Sequence, residues 1–395
     1  MLMFLTKGIK SSLQRELDCF YKEVTGSDFN IRHATKGAFT QARAKLNPSA
    51  FIEMNDNMVG TFYQEAPYLV WHGMRLLAAD GTRLNLPKHE SVIQEFGEHG
   101  FGPNADSKRS VAIGSFLYDT LNLITLDAQL APYTGSERDL LQKHLEKVKS
   151  GDLLLLDRGY PSLALMFELK ARGIEFCMRM KADWWLEVKD FTDSEQSDRL
   201  VNFTLPPKDH DLLDVYPEIG KQITCRLISI TLENGEKEIL CTSLNDSEKY
   251  EHEDFAELYH HRWGVEESYK LFKARAEVEY FSGKTARAVK QDFHAKTFMM
   301  TFCAVMAFPI EEQVRKEYHQ AESLNDQHPK KINRTNALSM TSGIMIGLFI
   351  KQKVDAAIDA FDLIVSKTTE IIRPNRKFER KKSPKKLYSM NYKRL

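Results

Sequence analysis

The chain has 395 residues, with 55 Lys or Arg against 55 Asp or Glu, so its formal net charge at pH 7 is zero. Its length exceeds that of a usual single domain and predicts roughly two to four structural units. Hydrophobic residues make up 42% of the chain, which is ordinary for a globular protein. The N terminus lacks the basic segment and the apolar core of a signal peptide. The apolar stretch 338–350 is too short to span a bilayer, so we expect no membrane partner.

Residues 1–70 have a helical pattern. Leu13, Leu17 and Phe20 recur at intervals of four and three residues, which predicts a first helix. A second helix is predicted over 35–46, ahead of a proline.

The second helix has an apolar side and a basic side. We expect three residues on the apolar side, Phe39, Ala42 and Leu46, and three cations open to solvent, Lys36, Arg43 and Lys45. A helix pair with a basic second member can enter a DNA groove. A helical cap on the core is an equally good interpretation of the pattern.

The segment 75–86 is interpreted as a strand, an Asp-Gly pair and a second strand. Asp80-Gly81 is a common hairpin sequence, which favours a simple turn. The residues before Asp80 are apolar, however, so its carboxylate is also expected near the centre of a sheet.

Four leucines in succession, at 153–156, predict a strand buried on both faces. Asp157 follows directly, at the carboxyl end of that strand, where open α/β sheets tend to bind ligands. Gly159 permits a sharp exit from the strand. Asp157 could also simply pair with Arg158 or cap the next helix.

Short strands and helices alternate between 71 and 183. Strands are predicted over 111–118, 123–130 and 175–180, with helices over 137–149 and 162–172. This order of elements is typical of an α/β core.

Residues 184–248 interrupt that alternation. Strands are predicted over 222–232 and 236–243, joined by Asn234-Gly235, which is a strong hairpin sequence. We therefore expect a β-rich insertion at this point.

A helix is predicted over 254–276, with Asp254 as its N-cap. At about 100° per residue, four polar side chains fall within an arc of roughly 60°. They are Tyr259, Arg262, Glu266 and Lys273. A neighbouring apolar stripe, expected to pack inward, consists of Leu258, Val265, Tyr269 and Phe272.

The polar face suits gripping phosphates while a metal ion is bound to the carboxylate. Ordinary surface charge is the simpler interpretation for any one of these residues, and Glu266 could pair with Arg262 or Lys270. Two strand-borne aspartates and a helix-borne glutamate can together hold two divalent cations. Mg²⁺ prefers such oxygen ligands.

Helices are also predicted over 287–307 and 338–365, with a polar stretch between them. The segment 367–395 holds eleven Lys or Arg against two Glu, a net charge of +9. The tail could bind DNA, with an affinity that falls steeply with salt, or it could be a disordered solubilising end.

The five cysteines are dispersed along the chain without CxxC spacing. An odd, scattered set argues against a zinc site and for reduced thiols, so a cytoplasmic location is expected.

The motifs Asp80-Gly81-Thr82 and Asp157-Arg158-Gly159-Tyr160, together with the polar helix face, resemble the signatures of bacterial DDE transposases of the insertion sequence 4 family. The resemblance implies a ribonuclease H-like mixed-sheet core, with Asp80, Asp157 and Glu266 as catalytic metal ligands. It also implies two Mg²⁺ ions, with Mn²⁺ as a substitute. Tyr259, Arg262 and Lys273 are then expected to contact DNA phosphates near the cleaved end.

On this basis five segments are expected. They are an N-terminal helical DNA-binding region (1–70), the first part of the core (71–183), the β-rich insertion (184–248), the second part of the core with the catalytic helix (249–318), and a C-terminal helical region with the basic tail (319–395).

The expected partners are double-stranded DNA, as terminal inverted repeats and as target, and a second copy of the chain in a synaptic complex. The protein would be bacterial, cytoplasmic and nucleoid-associated when bound to DNA. An insertion aromatic receives a flipped base in some relatives. Trp184 and Trp185 are candidates, although core packing or a rim position is the better interpretation for both.

The function that the resemblance implies is cut-and-paste DNA transposition by metal-assisted phosphoryl transfer. Two other functions are also compatible with the sequence. A structure-specific nuclease would share the core but would not join strands. A DNA-binding regulator would carry the acidic residues for structural reasons. The complete acidic triad argues against the regulator, because closely placed carboxylates repel one another without cations.

Overall fold

The computed structural model describes residues 1–9, 11–101, 107–194, 196–231, 235–322 and 330–372. Within these ranges the helices are, in chain order from α1 to α14, Leu2–Lys7, Leu13–Thr25, Lys36–Ala44, Ser49–Glu65, Glu90–Phe96, Glu137–His144, Leu163–Ala171, Leu186–Asp193, Asp211–Val215, Asp254–His260, Trp263–Ala274, Ala286–Glu322, Arg334–Phe349 and Val354–Lys367.

The strands of the same ranges are, from β1 to β12, Leu76–Asn85, His99–Phe101, Ser107–Arg109, Val111–Asp119, Ile124–Pro132, Leu153–Leu156, Glu175–Met180, Asp198–Thr204, Gln222–Thr231, Lys237–Thr242, Lys330–Ile332 and Thr369–Ile371. The chain forms two compact units. We call residues 65–84 and 111–269 the sheet unit. The helical unit comprises the described residues within 1–64, 85–110 and 270–372.

The sheet unit is built on one eight-stranded sheet with the order β5-β4-β1-β6-β7-β10-β9-β8. Strands β4 and β5 are antiparallel, whereas β6 runs parallel to both β1 and β7. This mixed arrangement confirms the α/β, ribonuclease H-like core predicted from the sequence. The strands predicted in the insertion, β9 and β10, continue the same sheet beyond β7.

The pairing of β1 with β6 sets the register of the sheet centre. Leu76 lies opposite Leu153, and Ala78 lies opposite Leu155. All four leucines of β6 have no exposed surface, as predicted for a strand covered on both faces. At the start of both strands, Arg75 donates to Asp152 at 2.7 Å through its Nε, and this buried ion pair stabilises the register.

β1 runs through Asp80 and Gly81 as one continuous strand, so the strand position expected for Asp80 is confirmed and the alternative of a simple turn does not occur. A two-residue turn of this sequence needs a positive φ at glycine, and Gly81 does not have one. Burial of the apolar residues on both sides of the pair favours the extended chain over the local turn.

The helix predicted over 254–276 is interrupted. It consists of α10 and α11, separated by His261 and Arg262. At the break the backbone hydrogen bonds span three residues rather than the four of an α-helix. The Arg262 N–H donates to the Tyr259 carbonyl at 3.1 Å, and the Gly264 N–H donates to the His261 carbonyl at 2.9 Å. Gly264 has a low helix propensity, which makes this departure from the α-helix inexpensive. The apolar stripe Leu258, Val265, Tyr269 and Phe272 is buried, as predicted.

In the helical unit, α2 and α3 match the two helices predicted near the N terminus. Ser12 and Thr35 cap them by accepting backbone N–H bonds, which satisfies donors that a helix start leaves unpaired. Leu17 and Phe39 lie in one apolar core cluster.

The exposed position predicted for Arg43 was wrong. Its side chain is 7% exposed, and its guanidinium donates to the Asp292 carboxylate at 2.8 Å and to Gln291 at 2.6 Å. Arg43 follows Phe39 by four residues and therefore shares its buried face. This removes one of the three cations that the sequence offered for a DNA groove.

The apolar helix predicted over 338–365 is two helices, α13 and α14. Gln352 between them has a φ of 53°, in the left-handed region, which does not continue a right-handed helix. Among the described residues, one segment, Ala286–Glu317 of α12, is long and apolar enough to cross a membrane. Because 78% of its most apolar stretch is buried in the protein, the segment has the character of a core helix. The basic segment from 373 to 395 lies outside the described residues, so its expected DNA contact stays a prediction.

The buried ion pair of the helical unit gives a stability prediction. Replacing Asp292 by Ala should lower the free energy of unfolding by about 3 kcal/mol, because Arg43 would keep its buried charge without an oppositely charged partner. Urea unfolding followed by circular dichroism measures the change. Asp18→Ala is the control, since Asp18 pairs with an Arg32 that is 60% exposed, and it should change little. Equal losses of unfolding free energy in the two variants would contradict the assignment of Arg43 and Asp292 as a stabilising buried ion pair.

Candidate active site

Asp80 and Asp157 lie side by side in the sheet unit. The register that joins Ala78 of β1 to Leu155 of β6 aligns Asp157 with Asp80 when it is continued past the end of β6. Aligned residues of parallel strands project to the same side of a sheet. Two of the three predicted carboxylates are therefore neighbours.

The Asp80 carboxyl group is mostly buried. Burial raises its pKa to about 7, although the bond that its Oδ1 accepts from the Gly81 N–H at 2.8 Å lowers it. The charges of Asp157 and Glu137 contribute to this rise, and the charge of Arg262 opposes it. A nearby cation would favour the ionised form of this group.

Asp157 is fixed by the turn that follows it. Its Oδ1 accepts a bond of 2.8 Å from the Gly159 N–H, and a Cβ at residue 159 would lie 3.0 Å from that oxygen. Glycine therefore allows the close approach. This agrees with the sharp exit predicted from the sequence.

Tyr160 has a fully buried hydroxyl group beside the carboxylates. Burial and then the charges of Asp80, Glu137 and Asp157 raise its pKa well above the usual range. The hydroxyl has no hydrogen-bond partner within the described part of the chain. Buried polar groups are seldom left in this state, so an oxygen ligand or a hydrated ion would satisfy it.

Glu266 is held by Arg262. The Arg262 Nη2 donates to the Glu266 Oε1 at 2.8 Å, and the two residues are four apart. This is the local pair that the sequence left open. Burial alone would lower the pKa of Arg262, but its surroundings raise it overall, including the hydrogen bond and charge of Glu266 and the charge of Asp80. Arg262 therefore links the helix carboxylate electrostatically to Asp80.

Two of the three residues predicted to contact phosphates are buried. Tyr259 is 4% exposed, and its hydroxyl donates to the Leu156 carbonyl, next to Asp157, at 3.3 Å. Arg262 is 6% exposed. Lys273 lies on the last turn of α11, in the helical unit, where burial lowers the pKa of its ammonium group. Their contacts with DNA stay predictions.

Across the described residues, no three Asp, Glu, His or Cys side chains converge closely enough to enclose a metal ion. Asp80 and Asp157 nevertheless provide adjacent oxygen ligands, with the unpartnered Tyr160 hydroxyl beside them. Such hard oxygen donors suit Mg²⁺, which takes its other ligands from water and phosphate. Glu266 would join them only by turning away from Arg262. Asp80 and Asp157 therefore fit part of a magnesium site, and Glu266 as its third ligand stays a prediction.

Glu137 is a fourth acidic residue of the site that the sequence did not identify. It begins α6 at the surface, and partial burial and the charge of Asp157 raise its pKa. A Cβ at residue 81 would lie 3.0 Å from its carboxyl carbon. The contact joins residues far apart in the chain, so local sequence could reveal only that Glu137 stands in the first turn of a helix.

The two tryptophans occupy different positions. Trp184 is 42% exposed, and the Lys181 ammonium lies 5.0 Å from the centre of its ring. Trp185 packs edge-on against Phe203 with 5.3 Å between ring centroids. A rim position and a packed position are the two outcomes preferred from the sequence.

The model of the family described as "Transposase DDE domain" matches residues 71–302. This range contains Asp80, Asp157 and Glu266. It also contains Glu137.

Two curated relatives come from Escherichia coli (strain K12). "Transposase InsG for insertion sequence element IS4" is 25% identical over 236 residues, which are 60% of this chain and 52% of that protein. "Putative transposase InsZ" is 28% identical over 144 residues, or 35% of this chain and 46% of that protein. The chain thus spans about half the length of the curated relatives it matches.

Among solved structures, the chain is similar to the piggyBac transposase in a cryo-EM synaptic complex with hairpin DNA. The TM-score is 0.41 at 10% identity, with 73% of this chain and 57% of that chain covered. The family match extends over more than half of the sequence, and the protein belongs to the family of the transposase DDE domain.

Proposed function

We propose that this protein is a DNA transposase that moves an insertion sequence by cut-and-paste transposition. The observation that carries the proposal is the alignment of Asp80 with Asp157 across β1 and β6, inside the segment that matches the family. A pair of adjacent, partly buried carboxylates is costly in a purely structural role, because like charges repel.

Asp80, Asp157 and Glu266 would hold two Mg²⁺ ions in this proposal, with Mn²⁺ as a substitute. When bound, such ions activate the attacking oxygen and stabilise the leaving oxygen of a phosphoryl transfer. The rest of the site aligns the DNA phosphate for in-line attack. Glu137 adds negative charge beside Gly81.

Arg262 has two roles in the proposal. Without DNA its guanidinium holds Glu266 at 2.8 Å and offsets the charge of Asp80. When Glu266 turns to the site, the planar guanidinium can bind a phosphate through two parallel bonds. Tyr259 and Lys273 would complete the grip on the cleaved DNA end.

The reaction that we propose begins with attack of water on the phosphodiester bond at the element end. The freed 3′-hydroxyl group then attacks target DNA, either directly or after a hairpin intermediate. Region 1–70 would recognise the terminal inverted repeats. Because two element ends must be held together, the active form would be a homodimer in a synaptic complex. The bacterial relatives support action on DNA in the cytoplasm, at the nucleoid.

Replacing the Glu266 carboxylate tests the proposed metal site. Glu266→Gln should abolish Mg²⁺-dependent nicking of element-end DNA while DNA binding stays largely intact, because the amide removes a metal ligand without removing volume. Nicking on denaturing gels and binding by mobility shift measure the two effects.

Glu267→Gln is the matched control, since Glu267 is the adjacent, exposed glutamate of the same helix. It should nick at the wild-type rate. Unchanged nicking by Glu266→Gln would remove the central assignment.

A joining assay separates transposition from simple cleavage. Element ends that already carry a free 3′-hydroxyl group should be joined to plasmid DNA by the wild-type protein and Mg²⁺. Cleavage without joined product would instead identify a structure-specific nuclease. Tight DNA binding with neither product nor a need for divalent ions would identify a regulator.

Glu137 gives a further prediction. Glu137→Gln should raise the Mg²⁺ concentration needed for half-maximal nicking several-fold, because the site loses one negative charge. Gly81→Ala should act in the same direction by displacing the Glu137 carboxyl group, with little loss of thermal stability because the displaced group is the flexible end of a surface side chain. A magnesium titration of nicking tests both variants, and an unchanged midpoint in both would exclude Glu137 from the site.

A further inference from the structure

We propose that Ser115, His144 and Asp127, together with Tyr269, position Asp80 for metal binding. We call these four residues the Asp80 support. None of them is a predicted ligand, and they act on Asp80 through its backbone. The inference rests on the proposed function, because it concerns the metal site assigned there.

The Asp80 carbonyl oxygen accepts two side-chain hydrogen bonds. The Ser115 hydroxyl donates to it at 3.1 Å and the Tyr269 hydroxyl at 2.5 Å. Tyr269 is itself fixed, because its oxygen accepts the Phe116 N–H at 2.9 Å. Two donors from β4 and α11 therefore clamp one peptide in the middle of β1.

That peptide controls the Asp80 carboxylate. The carbonyl of Asp80 and the N–H of Gly81 belong to the same planar peptide unit, so fixing one fixes the direction of the other. The Gly81 N–H donates to the Asp80 Oδ1 at 2.8 Å. Holding the carbonyl thus holds the donor that orients the carboxylate beside Asp157.

Ser115 is oriented in turn by a buried chain of hydrogen bonds. Because its one proton goes to the Asp80 carbonyl, its Oγ accepts the His144 Nε2–H at 2.9 Å, and the His144 Nδ1–H donates to the Asp127 Oδ2 at 2.7 Å. Burial raises the pKa of Asp127, but the hydrogen bond and charge of His144 more than offset this, so the pKa lies below its usual range. An ionised Asp127 accepts the Nδ1–H and fixes the imidazole, as carboxylates commonly do for histidines that support a metal site.

Ser, His and Asp in this order also form the triad of serine hydrolases. That role is excluded here by access, since Ser115 and His144 have no exposed surface. The Ser115 hydroxyl is also bonded to the Asp80 carbonyl. Burying three polar side chains costs free energy unless their bonds are complete, and these bonds end on a residue of the site.

The experiment measures Mn²⁺ binding to the full-length protein without DNA, by electron paramagnetic resonance of the free ion. The variants are Ser115→Ala and Tyr269→Phe, each of which removes one hydroxyl donor to the Asp80 carbonyl. We expect each to weaken Mn²⁺ binding by roughly tenfold, the lower end of the range for residues that orient ligands. Asp80→Asn should abolish the site.

Ser243→Ala is the matched control. Ser243 is also a buried serine of the sheet unit, and its hydroxyl accepts the Phe176 N–H at 2.9 Å, but it does not contact Asp80. The melting temperature without metal should fall in all three variants that lose a hydroxyl group. The affinity for Mn²⁺ should fall only in Ser115→Ala and Tyr269→Phe.

The outcomes distinguish the inference from the function on which it rests. Suppose that the wild-type protein binds Mn²⁺, that Asp80→Asn abolishes binding, and that Ser115→Ala and Tyr269→Phe bind with unchanged affinity. This result would overturn the role of the Asp80 support and leave the metal site intact. Equal weakening in Ser243→Ala would also overturn it, because the effect would then reflect loss of stability. Failure of the wild-type protein to bind Mn²⁺ would overturn both the metal site and the support.

Discussion

The parallel pairing of β1 with β6 is the constraint on which the site depends. One register aligns Arg75 with Asp152 at the start of the strands and Asp80 with Asp157 at the other end. Opposite charges therefore stabilise one end of the pair, and like charges oppose each other at the other end. The buried leucines between them hold the strands together, so the repulsion cannot be relieved by sliding. The fold maintains a negative charge density that a cation can neutralise.

The same site contains its own counter-charge. Arg262 is buried, holds Glu266 and lowers the pKa of Asp80. A guanidinium in this position stabilises the carboxylates in the absence of a metal ion. Replacement of that charge by divalent cations would release Glu266 and the guanidinium together. Metal binding and DNA gripping would then be coupled through one side chain.

The sequence was sufficient to predict the structure where local pattern and burial agree. Four consecutive leucines specified β6, and the spacing of Leu258 and Val265 specified a buried helix face. Local preference was a poor guide where burial or a distant contact competes with it. Asp80-Gly81 favours a turn in isolation, yet flanking burial keeps it in a strand. Arg43 has the pattern of a surface cation, yet Asp292, distant in the chain, gives it a buried partner.

By itself, the sequence determined the type of core, the position of two aspartates on or at the end of apolar strands, and the order of the acidic motifs, because strand burial and chain order are local properties. Only the tertiary structure decided that Asp80 lies beside Asp157, that Glu137 stands against Gly81, and that buried hydroxyl groups fix the Asp80 peptide. These contacts depend on distances between segments that are far apart along the chain. Such distances follow from the packing of the whole sheet unit, and no local spacing encodes them.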